Sequence, residues 1–261
     1  MKGMLKVFNG DSEWEIFQRV LEDGRIILAR HSNEKALFDE ITNAKWADNT
    51  DTRPDFISEN LMIEMFEIDD IVTTKKGKNN PQRKADARAM RDVQKFIDEV
   101  GDFREDIQVV AHGDTRYNPK TDSYELDRTE DHHNYQAYIN NFLRICQKHL
   151  DSVPEYRKNY PDKKLGFLII DDATFYVPKL KISAKETFTN LPFFDKNFMK
   201  LFVKSDVDFV VWAFNNKYLY TLEDKHGQDS FIPDVTLITK DYYYSKFTKL
   251  LDVDAMKSLE E

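Results

Sequence analysis

The stretch RPDFISENLMIEMFEI, residues 53–68, decides the fold that we predict for this chain. It holds a short apolar segment at 56–57 and a longer one at 61–68, separated by Ser58, Glu59 and Asn60. Polar residues of these types favour a tight turn between two strands. The stretch therefore predicts two neighbouring strands joined by a turn, with Asp55 at the end of the first strand.

Two glutamates interrupt the second apolar segment. Side chains two positions apart in a strand share a face, so Glu64 is expected on the face of Phe66, while Glu67 points the other way with Met65. A charged side chain is rarely buried unless it is paired or binds a metal. Glu64 is therefore the glutamate that we expect to join Asp55 in a site.

The remaining segments place this strand pair in a mixed sheet. Helical spacing of apolar residues predicts helices over 32–46 and 83–100, a long helix with apolar positions from Tyr138 to Leu150, and a short helix near 194–202. Continuous or alternating apolar runs predict strands over 106–113, 164–172, 205–215, 218–222 and 234–239. Residues 14–31 fit either a strand pair or a short helix followed by a strand. Strands interleaved with helices indicate an α/β fold in which helices flank a mixed central sheet.

The chain shows no repeat and no linker, so we expect one domain over 1–261, decorated by a long polar excursion at 114–134. Its 261 residues are 41% hydrophobic, enough for a sizeable core. No apolar run is long enough for a membrane span and the first residues do not resemble a signal peptide. We therefore expect a cytoplasmic protein without a membrane partner. Its single cysteine, Cys146, falls in an amphipathic segment and is interpreted as a buried apolar residue.

The charge pattern restricts the mode of nucleic-acid binding. A net charge of -9 argues against binding through the field of the whole protein. The run KKGKNNPQRKADARAMR, residues 75–91, is nevertheless basic, and fits either a solvated surface or a local patch that contacts phosphates.

With Pro54-Asp55, Ile63-Glu64-Met65-Phe66 and the helices on either side, residues 30–100 resemble the PD-(D/E)xK nuclease superfamily, the proteins of restriction-endonuclease-like fold. In that family a helix with a glutamate precedes a strand with the aspartate. The next strand carries Glu or Asp, a spacer and Lys, and a helix follows. Glu34 occupies the position of the helical glutamate.

The resemblance implies a nuclease that needs Mg²⁺, with Mn²⁺ as the alternative ion, and nucleic acid as its substrate. Asp55 and Glu64 would hold the metal, with Glu34 as an auxiliary ligand. Carboxylate oxygens suit this hard cation, which activates water and polarises phosphodiesters.

The chain departs from the family at Phe66, which stands where the family has its lysine. A lysine that has moved along the chain would restore the missing charge, and Lys75, Lys76 and Lys84 follow the strand closely enough to be candidates. The alternative is an inactive module on the same scaffold that binds a protein partner.

Other polar groups compete with this site. Asp171 and Asp172 end an apolar strand, where carboxylates commonly serve a site or close a turn. His132 and His133 are interpreted as a surface pair, and neither has the spacing of a zinc protease.

Overall fold

A computed structural model gives the fold of the chain. It describes residues 10–23, 32–72, 133–179, 191–215, 235–240 and 250–258. It also describes shorter pieces at 4–6, 8, 95, 115–118, 120, 123–126, 217–219, 222–223 and 229–230. Over these residues the protein is a mixed α/β structure with a six-stranded sheet flanked by helices. The predicted α/β class is confirmed at this level.

The helices are α1 (Glu13–Asp23), α2 (Ser32–Asn43), α3 (Tyr135–Leu150), α4 (Val153–Asn159) and α5 (Lys196–Val203), with 3-10 turns at Pro192–Phe194 and Val253–Ala255. The strands are β1 (Met4–Lys6), β2 (Ala47–Asp48), β3 (Phe56–Ile57), β4 (Leu61–Ile68), β5 (Thr115–Asn118), β6 (Ser123–Leu126), β7 (Lys164–Asp171), β8 (Tyr176–Pro178), β9 (Phe209–Phe214), β10 (Lys217–Leu219), β11 (Leu222–Glu223), β12 (Asp229–Ser230), β13 (Val235–Thr239) and β14 (Met256–Ser258).

The sheet has the strand order β13-β9-β7-β4-β3-β2. Its three central strands β4, β7 and β9 are parallel, whereas β3, β2 and β13 each run antiparallel to the neighbour on their inner side. The central strands β7 and β9 are buried along almost their whole length, which explains their nearly continuous apolar sequences.

Helices cover both faces of the sheet. Strand β4 alternates between the two layers: Met62 and Phe66 pack under α3 and α5, while Ile63 and Met65 pack under α1 and α2. Asn134 caps α3 by accepting a hydrogen bond from the Ala137 amide at 2.8 Å. Strand β4 therefore presents one row of side chains to each helical layer.

Most of the segments predicted inside the described residues are present. The strand pair around the turn at 58–60 is confirmed, and so are α2, α3, α5, β7, β9 and β13. The segment 14–31 opens as helix α1 rather than as a strand pair. Within the excursion 114–134, strands β5 and β6 form an antiparallel hairpin that the polar sequence did not suggest. The predicted helix 83–100, apart from residue 95, and the predicted strand 106–113 lie outside the described residues.

Cys146 is buried as predicted, and burial raises the pKa of its thiol. Among the residues that the structure describes, no helix is both long enough and apolar enough to cross a membrane.

Candidate active site

A hydrogen-bonded loop sets the position of Asp55. The Asn49 amide donates to the Asp55 carbonyl at 2.7 Å, and the Asn49 side chain donates to the Pro54 carbonyl at 2.7 Å. Thr52 donates in turn to the Asn49 side chain at 2.7 Å. The Arg53–Pro54 peptide in this loop is cis. The backbone around Arg53 and Asp55 is therefore fixed by local polar contacts before any ligand arrives.

Strand pairing then brings Asp55 to Glu64. In the antiparallel pair β3–β4, Phe56 pairs with Ile63 and Ile57 with Met62. One further step of this register places Asp55 opposite Glu64, where directly opposed side chains lie on one face. The Asp55 carboxylate accepts a hydrogen bond from the Met65 amide at 2.7 Å. Asp55 lies just before β3 and not at the end of a strand, which corrects the predicted position.

Glu64 is fully buried, and its two oxygens have different surroundings. Its Oε1 accepts a hydrogen bond from Arg53 Nη1 at 2.9 Å and lies 2.8 Å from His149 Nδ1. Among the residues that the structure describes, its Oε2 has no partner in hydrogen-bonding geometry, and the nearby Tyr156 hydroxyl, which interacts with Glu64, has none either. A buried oxygen without a partner is costly, so Oε2 of Glu64 is the feature of the site that most needs an explanation.

The imidazole of His149 lies in the space beside Phe66. The two rings stack with centroids 4.6 Å apart and an interplanar angle of 15°. His149 comes from the last turn of α3, and Phe66 comes from β4 two residues after Glu64. The ring of Phe66 thus supports the imidazole that contacts Glu64.

Burial and the neighbouring carboxylate change the acidity of Asp55. Desolvation, followed by the charge of Glu64, raises the pKa of Asp55 from 3.8 to about 7. Burial and the charge of Glu64 also raise the pKa of Tyr156 to about 12. The proximity of Glu64 thus disfavours a negative charge on Asp55, and either a proton or a bound cation relieves this repulsion.

The structure does not place Glu34 with the other two predicted ligands. Glu34 is buried and accepts a hydrogen bond from Thr239 at 2.9 Å. Thr239 pairs with Phe209 of β9, and Phe209 pairs with Gly166 of β7, which pairs with β4. Thr239 is therefore three strand spacings of roughly 4.8 Å each away from β4. Helix α2 also packs on the opposite face of the sheet from Glu64. The two carboxylates therefore lie apart, and the interpretation of Glu34 as an auxiliary ligand does not hold in this arrangement.

The predicted sources of positive charge cannot be placed. Lys75, Lys76 and Lys84 lie outside the described residues, as does the basic run 75–91. Within the described part of the chain, the guanidinium of Arg53 contacts the site through its ion pair with Glu64.

Sequence reasoning did not single out Arg53 or His149. Arg53 directly precedes the Pro54-Asp55 pair, but its side chain reaches Glu64 only because the loop turns back towards β4. A signal existed for His149. It continues the buried face of α3 formed by Tyr135, Tyr138, Phe142 and Cys146, and a histidine on an apolar helix face needs a polar partner.

The competing carboxylates, Asp171 and Asp172, accept hydrogen bonds from other residues of the protein. Asp171 accepts hydrogen bonds from the Tyr138 hydroxyl, from Trp212 Nε1 at 2.7 Å and from the Ala173 amide at 3.0 Å. Asp172 accepts a hydrogen bond from Asn215 at 2.7 Å. The contacts of Asp171 and Asp172 favour their turn-closing interpretation.

Of the two adjacent histidines, His133 lies with its Nδ1 2.7 Å from Asp70, and His132 lies outside the described residues.

The described residues contain no group of three or more His, Cys, Asp or Glu side chains arranged to hold a metal ion. A site at Asp55 and Glu64 thus offers two carboxylates. Mg²⁺ is commonly held by one or two carboxylates, with water and substrate phosphate completing its shell. The partnerless Oε2 of Glu64 fits such an ion. No family model, curated protein or solved structure matches this chain, so its function is argued from the geometry of the site.

Proposed function

We propose that this protein is a Mg²⁺-dependent nucleic-acid phosphodiesterase of PD-(D/E)xK type, with Mn²⁺ as an alternative ion. One observation carries the proposal. Glu64 is fully buried beside Asp55, and its Oε2 has no hydrogen-bond partner among the described residues. A protein without a ligand at this place would keep two adjacent buried carboxyl groups, one with a raised pKa, and one buried oxygen unsatisfied, for no gain in stability.

Asp55 and Glu64 Oε2 would hold the ion. The ion would supply positive charge at a phosphodiester and lower the pKa of a water molecule. Arg53 and His149 both contact Oε1 of Glu64, which leaves Oε2 as the oxygen available to a ligand. Hydrogen bonds of this kind orient metal-binding carboxylates in many proteins.

The order of elements also supports the proposal. Helix α2 precedes the Asp55 loop, and β4 carries Glu64 beside it in a mixed sheet. This is the order on which the resemblance to the restriction-endonuclease-like fold depends. Phe66 in place of the lysine leaves the source of the second positive charge open to Lys75, Lys76 or Lys84.

A second candidate function is that of a non-catalytic module that binds a protein partner. The stack of Phe66 on His149 favours it, because an apolar ring occupies the position of the family's charged group. The ion pair between Arg53 and Glu64 also gives Glu64 a structural partner. The two functions differ in whether the acid pair binds a divalent cation and supports cleavage.

Cleavage of supercoiled plasmid, single-stranded DNA and RNA in Mg²⁺ or Mn²⁺ tests the proposal. The wild type is compared with Asp55→Asn and Glu64→Gln, which keep the shape of each side chain. Glu67→Gln is the matched control, since Glu67 is exposed on the same strand. We expect cleavage by the wild type and Glu67→Gln, and a loss of at least 100-fold in both site variants.

Equal cleavage by all four proteins would assign the activity to a contaminant or to another site. Absence of cleavage on all three substrates, with cation binding retained, would favour the binding module.

A further inference from the structure

Two donors share one oxygen of Glu64, while the other oxygen has no hydrogen-bond partner among the described residues. Arg53 Nη1 and His149 Nδ1 both contact Oε1, at 2.9 and 2.8 Å. A carboxylate oxygen has lone pairs for two donors, so Oε1 keeps one hydrogen-bond partner if the other donor leaves.

Arg53 is the donor that can leave. Its side chain is 50% exposed, whereas that of His149 is 9% exposed and stacked on Phe66. If the guanidinium turns outward, His149 still contacts Oε1, and the Tyr156 hydroxyl beside Arg53 keeps Glu64 and Ser152 as neighbours. The loop contacts of Asn49 hold the backbone, so only the Arg53 side chain needs to move.

We propose that Arg53 binds the substrate's phosphate, exchanging Glu64 for a phosphoryl oxygen of a phosphodiester beside the Asp55–Glu64 pair. This inference rests on the proposed nuclease function and names the residue that recognises its substrate class. The guanidinium of Arg53 provides the charge and the planar set of donors that phosphate oxygens accept. It is also the group of the site that an anion from solvent meets first, because both carboxylates are buried.

Arg157 shows what a structural arginine looks like in the same protein. Its guanidinium donates to Asp206, to Asp208 and to the carbonyl of Lys163. All three of its nitrogens are engaged. By contrast, Arg53 is half exposed, and its neighbours are the Glu64 carboxylate and the Tyr156 hydroxyl.

Fluorescence anisotropy with labelled single-stranded and duplex oligonucleotides tests this role, in EDTA and in Ca²⁺. The variants are Arg53→Lys, which keeps a point charge, and Arg53→Gln, which removes it. Arg19→Gln is the control, because Arg19 is exposed on α1. Competition with inorganic phosphate shows whether the contact needs more than a free anion.

In Ca²⁺ we expect Arg53→Gln to weaken oligonucleotide binding about tenfold and to lower the salt slope by about one. Arg53→Lys should fall between Arg53→Gln and the wild type, and Arg19→Gln should stay within twofold of the wild type. A structural role for Arg53 would change the unfolding midpoint without changing the salt slope, and would overturn the inference.

The other outcomes separate this inference from the proposed function. Oligonucleotide binding that depends on Arg53 without any cleavage would sustain the inference and refute the nuclease. Cleavage, together with equal oligonucleotide binding by the wild type and Arg53→Gln, would sustain the nuclease and refute the inference. Binding of inorganic phosphate alone, with no oligonucleotide affinity, would overturn the assignment of a phosphodiester.

Discussion

Two groups of buried carboxylates lie on the same face of the sheet, and they differ in how many of their oxygens are hydrogen-bonded. Asp70, Asp171 and Asp195 lie in or next to the aromatic core, and each of their six oxygens lies within hydrogen-bond distance of a partner. At the Asp55–Glu64 pair, Glu64 keeps one oxygen without a hydrogen-bond partner among the described residues. The first group, here called the tyrosine-bonded carboxylates, is satisfied within the described part of the chain. The second pair is not, and under the proposed function a ligand completes it.

The tyrosines make the first group stable. Tyr176, Tyr138 and Tyr135 donate to Asp70, Asp171 and Asp195 respectively. Burial, with the nearby carboxylate, raises the pKa of Tyr138, so its hydroxyl keeps the proton that it donates. A buried charge is tolerated when donors replace the water that it has lost. The comparison therefore separates carboxylates whose oxygens are all hydrogen-bonded within the protein from the pair that we propose binds a cation.

Removing a tyrosine-bonded carboxylate should have the largest effect on stability. Asp171→Ala leaves the Tyr138 hydroxyl and the indole of Trp212 as buried donors without their acceptor. We expect a loss of about 3 to 5 kcal/mol in the free energy of unfolding. Denaturant unfolding measures it. Asp206→Ala, at a side chain that is 69% exposed, is the control and should cost less than about 1 kcal/mol. If Asp171→Ala also lost less than about 1 kcal/mol in the free energy of unfolding, the tyrosine-bonded carboxylates would not be distinct from the Asp55–Glu64 pair in stabilising the fold.

A divalent cation should act on the second pair only. At about a hundred times its dissociation constant, Mg²⁺ should stabilise the wild type by about 2.7 kcal/mol. Asp55→Asn and Glu64→Gln should each abolish this stabilisation because one of the two ligands is lost. Thermal unfolding and isothermal titration calorimetry in Mg²⁺ and Mn²⁺ measure the effect. Equal stabilisation of Asp171→Asn and the wild type would confirm that the ion does not use the tyrosine-bonded carboxylates.

Without a cation, the Asp55–Glu64 pair should make stability depend on pH. The folded state raises the pKa of Asp55 from 3.8 to about 7, so between these values the folded protein binds more protons than the unfolded chain. The Asp55 contribution to stability therefore falls as pH rises through this window, with a slope of at most about 1.4 kcal/mol per pH unit.

Chemical unfolding of the wild type and Asp55→Asn from pH 4 to pH 7 in EDTA isolates this contribution. The curve of the variant should be flatter. Asp162→Asn, at an exposed position, should follow the wild type. Parallel curves for all three proteins would mean that Asp55 is ionised normally in the fold.

The sequence predicts the fold better than it predicts the site. Residues 53–68 contain both strands and the turn in one local pattern, and the strand period alone separates Glu64 from Glu67. Local periodicity is enough for such elements because each is specified by its own side chains. The pairing of Asp55 with Glu64 follows from the same pattern, since the two residues are close in sequence.

Contacts between distant segments were not predictable in this way. His149 reaches Glu64 across 85 positions, and Thr239 reaches Glu34 across 205. Nothing in the local pattern around Glu34 shows that α2 packs over β13 and on the other face of the sheet. The partners of a buried charge depend on strand order, which a short motif does not contain.

The smallest effect is expected for the second glutamate of β4. Glu67 is exposed and belongs to the opposite side of the strand, so Glu67→Gln should change stability by less than about 0.5 kcal/mol and leave Mg²⁺ binding unchanged. Unfolding and calorimetry beside Glu64→Gln provide the measurement. The two variants make the same chemical change three residues apart, at a buried position beside Asp55 and at an exposed position on the other face of the strand. Loss of cation binding in both would show that the ion lies at the edge of the strand or beyond it, and would break the assignment of Glu64 Oε2 as the ligand.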